Sequence, residues 1–222
     1  MIGSPSILGA LRRYGRGETS GAGAVEFAII LPLLIALLLG GYEAARLILT
    51  YRKLCDVTAQ LASIASQEDT PTLQATLQGD MGAASQVMYP NTTTGLTLIM
   101  SEIDVAGNGA VTVGWSEGWV SGSVNESVAH AQGSTWSSLP SSMINSNFVT
   151  MSGSDCSASS SATCYSYILV ESSYTYHAVI GGNYVGYTIP MNDQVYFPPR
   201  NEAAIECDDA TNSAESANEA YC

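Results

Sequence analysis

Basic side chains are scarce in this chain of 222 residues, and most of those present lie near its start. Seven Lys and Arg stand against twenty Asp and Glu, which gives a net charge of −13. Residues 55–222 hold one basic residue, Arg200, and seventeen acids. Such a segment repels phosphate backbones, so we expect no nucleic-acid binding. Its charge keeps an exported domain soluble and suits a cationic or neutral partner.

Metal-binding and catalytic motifs are also scarce. The chain has two histidines, His130 and His177, and no C-x-x-C motif, which argues against a zinc site. Either histidine could act with a serine and an aspartate in a hydrolase, but no H-E-x-x-H motif is present and serine is so frequent that such triples arise by chance. Asp208-Asp209 lacks the spacing of an EF-hand loop. We therefore expect no enzyme, no metal and no cofactor.

Four of the five cysteines lie in the last 67 residues, in polar surroundings. Two disulfides in an oxidising compartment are the natural interpretation. The sequence leaves the pairing open, and we favour Cys156–Cys164 and Cys207–Cys222 because both loops are short. Cys55 is left over, either as a small buried helix residue or as a partner in an intermolecular bond.

One long apolar segment is present, at residues 22–41, and Glu26 is its only charged residue. As a helix it spans roughly 30 Å, enough to cross a bilayer. A signal peptide has a shorter apolar region followed by an A-x-A-like site. Here further helical pattern follows, so we expect a retained anchor. Pro32 lies inside it, and membrane helices tolerate such a kink.

An amphipathic pattern continues beyond the anchor to about Ser66. Its apolar stripe, which only Thr50 interrupts, is Leu47, Leu54, Val57, Leu61 and Ile64. The pattern predicts one helix of about 45 residues, roughly 65 Å long. We expect the stripe to pack on the protein's own sheet; the alternative is a seam with a partner.

The rest of the chain predicts a short helix and then strands. A weaker helix is expected at 71–88, interrupted by Gly79 and Gly82. Two hairpins follow, one turning at Asn108-Gly109 and one joining Tyr165–Val179 to Tyr184–Phe197. The alternating apolar positions of the first hairpin are Leu96, Leu98 and Met100, then Val111, Val113 and Trp115. The fold class is α+β, with helices on an antiparallel sheet.

These patterns divide the chain into five parts. They are a basic leader (1–21), a transmembrane helix (22–41), an amphipathic extension (42–70), an exported α+β domain (71–206) and an acidic tail (207–222). The three tryptophans could form a sugar-binding face, but we expect core or edge-strand positions for them: Trp115, Trp119 and Trp136.

The position of Glu26 suggests processing. A carboxylate costs roughly 2.5–3.5 kcal/mol at the bilayer centre and less near its edge, so it persists with a partner or a function. If the chain is cut after Gly21, the new amine of Ala22 lies one helical turn from Glu26. The two charges can then neutralise each other within one subunit or between neighbours. The alternative is an interfacial glutamate favoured by the helix dipole.

A basic leader, a glycine, a five-residue spacing to Glu and a Phe-headed apolar helix resemble type IV prepilins and pseudopilins. The chain is still more similar to the TadE/TadG-like proteins of tight-adherence (Flp) pili. The segments that carry this resemblance are AVEFAIILPLLIALLLGGYEAARL, YRKLCDVTAQLASIASQE and, more weakly, VYFPPRNEAAIEC. The resemblance implies a minor pilin or pseudopilin, with Gly21, Ala22, Glu26 and Phe27 as its cleavage and assembly residues.

The resemblance also implies partners and a location. These are a prepilin peptidase, other minor pilins, the major pilin and lipid of the bacterial inner membrane, with the C-terminal domain in the periplasm or carried into the pilus. The basic residues do not decide the orientation, because three flank each side of the anchor. The alternative function is a membrane-anchored binding module or adhesin whose anchor is never cut.

We predict that the four C-terminal cysteines are oxidised in the exported protein. Thiol labelling of unreduced, denatured protein should find one free cysteine at most, Cys55. Reduction should then destabilise the domain, since losing a native bridge typically costs about 2–5 kcal/mol. Four or five free thiols would instead indicate a cytosolic domain.

Overall fold

A computed structural model of the chain describes residues 20–68, 72–106, 109–144, 165–178, 187–200 and 207–208. Their helices and strands are α1 Ser20–Ala65, β1 Thr72–Leu73, α2 Gln74–Ser85, β2 Leu96–Val105, β3 Val111–Val120, β4 Ser123–Val124, β5 Tyr165–His177, β6 Thr188–Phe197 and β7 Cys207–Asp208. The expected α+β class, a long helix followed by a short helix and an antiparallel sheet, is confirmed.

The first helix, α1, is a single element of 46 residues. Its length is roughly 70 Å, close to the expected value. The sequence is rich in Ala and Leu, which favour helix, and the helix continues through Pro32. The chain divides into two units within α1, Met1–Arg46 and Leu47–Cys222. The second unit contains the sheet.

In the second unit, α1 buries most of the predicted stripe. The fully buried members are Leu54, Val57 and Leu61. Ile64 was expected with them but is 37% exposed, and Ala65 is buried instead. A helix of 3.6 residues per turn carries an i+3 position off the buried face at this point. Thr50 is buried too, because its Oγ1 accepts a hydrogen bond from Asn91 Nδ2 at 3.2 Å.

The main sheet has five antiparallel strands in the order β4-β3-β2-β5-β6. Its inner face packs against residues 47–65 of α1 and against α2. On β2 this face carries the predicted alternating residues Leu96, Leu98 and Met100, all fully buried. The core of the domain therefore lies between one sheet face and two helices, as the period-two pattern indicates.

The alternation predicted on β3 does not place its residues on one face. Pairing of β2 with β3 shifts between Ser101 and Ile103. As a result, Trp115 lies in the inner core, whereas Val111 and Val113 pack in a second apolar cluster on the outer face. A bulge adds one residue to one strand, which reverses the faces of all residues beyond it.

The outer face is partly covered by residues 125–144. Asn125 N–H donates to Gly118 O at 2.8 Å, and Trp136 N–H donates to Val111 O at 2.9 Å. Gly118 is required for this approach, because a Cβ there would lie 2.3 Å from Asn125 O. Trp115 and Trp119 are buried in the inner core, as expected, so neither contributes to a sugar-binding face.

Two predicted boundaries and one predicted interruption were wrong or fall outside the described residues. The short helix begins at Gln74 rather than at Pro71, and Gly79 and Gly82 do not interrupt it. A Cβ at either glycine would meet nothing within 4 Å, so packing does not require glycine at these positions. β6 begins at Thr188, and residues 179–186, which include its predicted start, lie outside the described part of the chain.

A buried hydroxyl pair joins α1 to the sheet. Thr58 Oγ1 donates to Leu54 O at 2.9 Å and lies 2.6 Å from Ser172 Oγ on β5. Since the threonine proton is used by the helix carbonyl, Ser172 is the donor to Thr58. The pair therefore satisfies two polar groups within an apolar core.

We predict that Thr58→Val costs more stability than Ser172→Ala. Valine leaves the Ser172 hydroxyl buried without an acceptor, which costs about 1–3 kcal/mol. Alanine at 172 leaves Thr58 bonded to Leu54 O and should cost about 1 kcal/mol. Denaturation of the detergent-solubilised full chain measures both, and the double variant should lose less than the two single losses combined. Equal losses with simple additivity would contradict the assigned donor.

Candidate functional site

The first half of α1 presents its apolar side chains outward. The large exposed side chains there are Val25, Phe27, Ile29, Ile30, Leu31, Leu33, Leu34, Ile35, Leu37, Leu38 and Leu39. An 18-residue window of the helix has a mean hydropathy of 2.4, and none of it is buried. By length and composition, this helix can cross a membrane.

The four predicted cleavage and assembly residues all lie in the first two turns of α1. Gly21, Glu26 and Phe27 are exposed, and of Ala22 only the helical backbone is described. Because the segment is helical, Ala22 and Glu26 are separated by about one turn, roughly 6 Å along the axis. This spacing permits the proposed pairing of amine and carboxylate, which stays a prediction.

Of the predicted disulfide residues, Cys156, Cys164 and Cys222 lie outside the described part of the chain. Cys207 lies in β7, which pairs with β1 in a two-residue parallel ladder. Cys55 is a free, half-buried cysteine on α1. Burial and the nearby Asp193 raise the pKa of its thiol, which disfavours the thiolate needed for disulfide exchange. Whether Cys55 serves in packing or in an intermolecular bond stays open.

An acid–base pair lies on the outer sheet face. His130 Nε2 is 2.5 Å from Glu171 Oε2, and both side chains are about a quarter exposed. The histidine ring also makes an edge contact with Trp136, at 4.8 Å between ring centroids. Trp136 Nε1 donates to Tyr196 OH at 3.2 Å. These contacts tie residues 125–144 to β5 and β6.

The sequence interpretation missed a G-x-S-x-G spacing at Gly114–Gly118, which in hydrolases marks a nucleophile elbow. An elbow needs a strand-to-helix turn with an exposed serine. Here Ser116 lies within β3 and is fully buried. Its Oγ is 2.7 Å from Ser101 Oγ and accepts from the backbone N–H of His130, not from the ring. The Ser116 hydroxyl therefore makes structural hydrogen bonds and is not an exposed nucleophile.

A shallow groove of about 470 Å³ lies beside this pair on the outer face. Its lining residues come from β2, β5 and β6: Thr97, Ile99, Glu171, Ser172, Ser173, Asn192, Asp193 and Gln194. Hydroxyl, amide and carboxylate groups on an open surface can hydrogen-bond a polar ligand, but they are also typical of the solvated face of an antiparallel sheet.

Carboxylates on the inner face were also missed, of which Glu102 and Glu117 are buried and Asp104 is half-buried. Glu117 is fully buried and accepts from Gln74 Nε2 at 2.6 Å and from Gln78 Nε2 at 3.3 Å. Glu102 and Asp104 approach Gly114, where a Cβ would lie 2.9 and 2.7 Å from their oxygens. Burial raises the pKa of Asp104 from 3.8 to about 6. Among the described residues, no three acidic, His or Cys side chains form a group that could hold a metal ion.

Together, the apolar helix and the sheet domain are consistent with a membrane-anchored protein. The family of TadE-like proteins matches residues 21–63, which confirms the predicted resemblance over that segment. The match indicates a component associated with tight-adherence pili. No curated protein and no solved structure matches the chain.

We predict that Asp104→Asn stabilises the protein at neutral and alkaline pH. The native carboxyl binds a proton near pH 6 when folded and near pH 3.8 when unfolded. The folded state therefore holds more protons between these values, and this group lowers stability as pH rises through them. The gain should be on the order of 1–3 kcal/mol above pH 7 and should vanish near pH 4.

Thermal unfolding of the solubilised full chain at pH 4, 7 and 8 measures this difference. Asp56→Asn, at an exposed position of α1, is the matched control and should change little at any pH. A loss of stability at pH 8 in Asp104→Asn would show that the folded protein favours the charged carboxylate.

Proposed function

We propose that the protein is a minor pilin or pseudopilin of a tight-adherence pilus, anchored in the bacterial inner membrane with its sheet domain in the periplasm. One observation carries this proposal: the TadE-like match at residues 21–63 coincides almost residue for residue with α1, Ser20–Ala65. The family's segment is thus both the apolar helix and the helix that forms the domain core.

A prepilin peptidase cuts between Gly21 and Ala22 in this proposal. The new amine of Ala22 and the carboxylate of Glu26 then lie one helical turn apart. Glu26 is exposed along the helix, so it can also reach the amine of a neighbouring subunit. Pairing in a low-dielectric surrounding fixes the axial register between helices, because a shifted register leaves both charges unpaired.

The second half of α1 couples the anchor to the domain. Its apolar stripe is used within the chain, since Leu54, Val57 and Leu61 are fully buried against the sheet. This burial supports the expected intramolecular packing and leaves the exposed first half of the helix for contacts with lipid or with other pilins.

A structural role without catalysis is part of the proposal. The ring nitrogen Nε2 of His130 contacts a carboxylate oxygen of Glu171, and Ser116 is buried within β3. A hydrolase needs an accessible nucleophile that its base can reach. The position of Ser116 therefore supports assembly rather than chemistry.

The second candidate is a membrane-anchored binding module with an uncleaved anchor. It is favoured by the groove of about 470 Å³ on the outer face, a volume within the usual range for small-molecule sites. The two candidates differ in the fate of residues 1–21 and in their dependence on Glu26.

We predict that Glu26→Ala leaves the protein cleaved and inserted but impairs pilus assembly. Alanine makes the anchor more apolar, so insertion should not suffer, whereas the charge that pairs with an amine is lost. Glu26→Gln should rescue little because it also lacks the charge. Surface piliation is the measurement, and intact mass should show the loss of residues 1–21 in every variant.

The matched control is Gln60→Ala, at an exposed position on the same helix. If the Glu26→Ala variant is present at the normal protein level and piliation is normal, Glu26 is an interfacial residue without a role in assembly. A mass that retains residues 1–21 in the native protein would support the binding module instead.

A further inference from the structure

The first turns of α1 within the second unit carry exposed apolar and aromatic side chains. Ile48 is 52% exposed, Leu49 56% and Tyr51 45%, all on the first two turns after Leu47. Tyr89, which precedes β2, is 79% exposed. Large side chains of this kind rarely cluster on a soluble surface without a contact partner.

Two hydrogen bonds hold Tyr89 beside this part of α1. The Nζ of Lys53 donates to the backbone carbonyl of Tyr89. Two residues further on, Asn91 Nδ2 donates to Thr50 Oγ1 at 3.2 Å. The backbone of residues 89–91 therefore lies beside Thr50 and Lys53, and the Tyr89 side chain is exposed there.

The same turns of α1 carry the cationic side chains of an otherwise acidic domain. Arg52 is exposed and Lys53 half-buried. After Lys53 the chain has one further basic residue, Arg200, against seventeen acids. Arg200 lies at the other end of this helix half, where its N–H donates to Ser66 O at 2.8 Å. About 15 residues of helix, roughly 20 Å, separate the two ends.

We propose that Ile48, Leu49, Arg52, Lys53 and Tyr89 form a lipid-contact patch that binds the headgroup layer of an anionic phospholipid bilayer. This rests on the proposed membrane anchoring. Tyrosine with Lys or Arg is the composition typical of a membrane–water interface. The cations complement anionic headgroups, and the acidic remainder of the domain is repelled by them.

The patch also lies close to the apolar segment along the chain, because Ile48 follows Gly41, the end of the apolar run, by seven residues. Long cationic side chains are typical of positions close to a membrane-spanning segment.

The test places a photoreactive residue at the patch, as Tyr89→p-benzoylphenylalanine in the full chain. The protein is reconstituted in vesicles of phosphatidylcholine with or without phosphatidylglycerol, irradiated and analysed by mass spectrometry. We expect a phosphatidylglycerol adduct in the mixed vesicles. Adding Arg52→Gln should reduce its yield about fivefold, the equivalent of about 1 kcal/mol for one cation near an anionic surface.

Arg200→Gln is the matched control, since it removes a cation outside the patch, and it should leave the adduct yield unchanged. Arg52→Gln keeps the bond between Lys53 and Tyr89, so the patch should retain its shape. A cross-link to a second copy of the chain would overturn the proposal. So would a yield of phosphatidylglycerol adduct that stays the same when Arg52→Gln is added.

Failure here is distinguishable from failure of the proposed function. If residues 1–21 are removed and piliation depends on Glu26 while no lipid adduct forms, the pilin proposal stands and the lipid-contact patch does not. If the chain is extracted from the vesicles by alkaline carbonate, the anchoring on which both rest is wrong.

Discussion

Burial of the second half of α1 against the inner face of the sheet is the contact on which the domain depends. Leu54, Val57 and Leu61 have no solvent exposure, and each side chain buried in this way contributes about 1.5–3 kcal/mol. The same helix carries the apolar segment and the whole TadE-like match. The domain therefore cannot form its core without the helix that follows the anchor directly in the chain.

The inner core also contains polar groups, which are accommodated in two ways: by hydrogen bonds or by a raised pKa. Thr58 and Ser172 satisfy each other and a helix carbonyl, and Glu117 is held by two glutamine amides from α2. Asp104 is accommodated at a cost, since burial shifts its titration toward neutrality. The first solution strengthens the attachment of helix to sheet, whereas the second makes stability depend on pH.

One sequence motif of this protein, the G-x-S-x-G spacing, lies in a structural context that does not suit its usual function. The spacing at Gly114–Gly118 fits a hydrolase elbow, yet Ser116 lies in a strand and is sealed beneath residues 125–144. Gly21 and Glu26 lie within a helix that the TadE-like match also covers, and the role of their spacing stays a prediction. A motif is informative when the surrounding secondary structure places its side chains where the chemistry needs them.

The sequence by itself determined the features that depend on local periodicity: the long helix, the apolar anchor segment, the alternation of β2 and the α+β class. These follow from the repeat of each backbone conformation, which side chains near in sequence already reveal. Only the tertiary structure decided that Val111 and Trp115 lie on opposite faces, that Ile64 is exposed, and that Glu102, Asp104 and Gly114 meet. Register and proximity between distant segments arise from packing, and no local pattern records them.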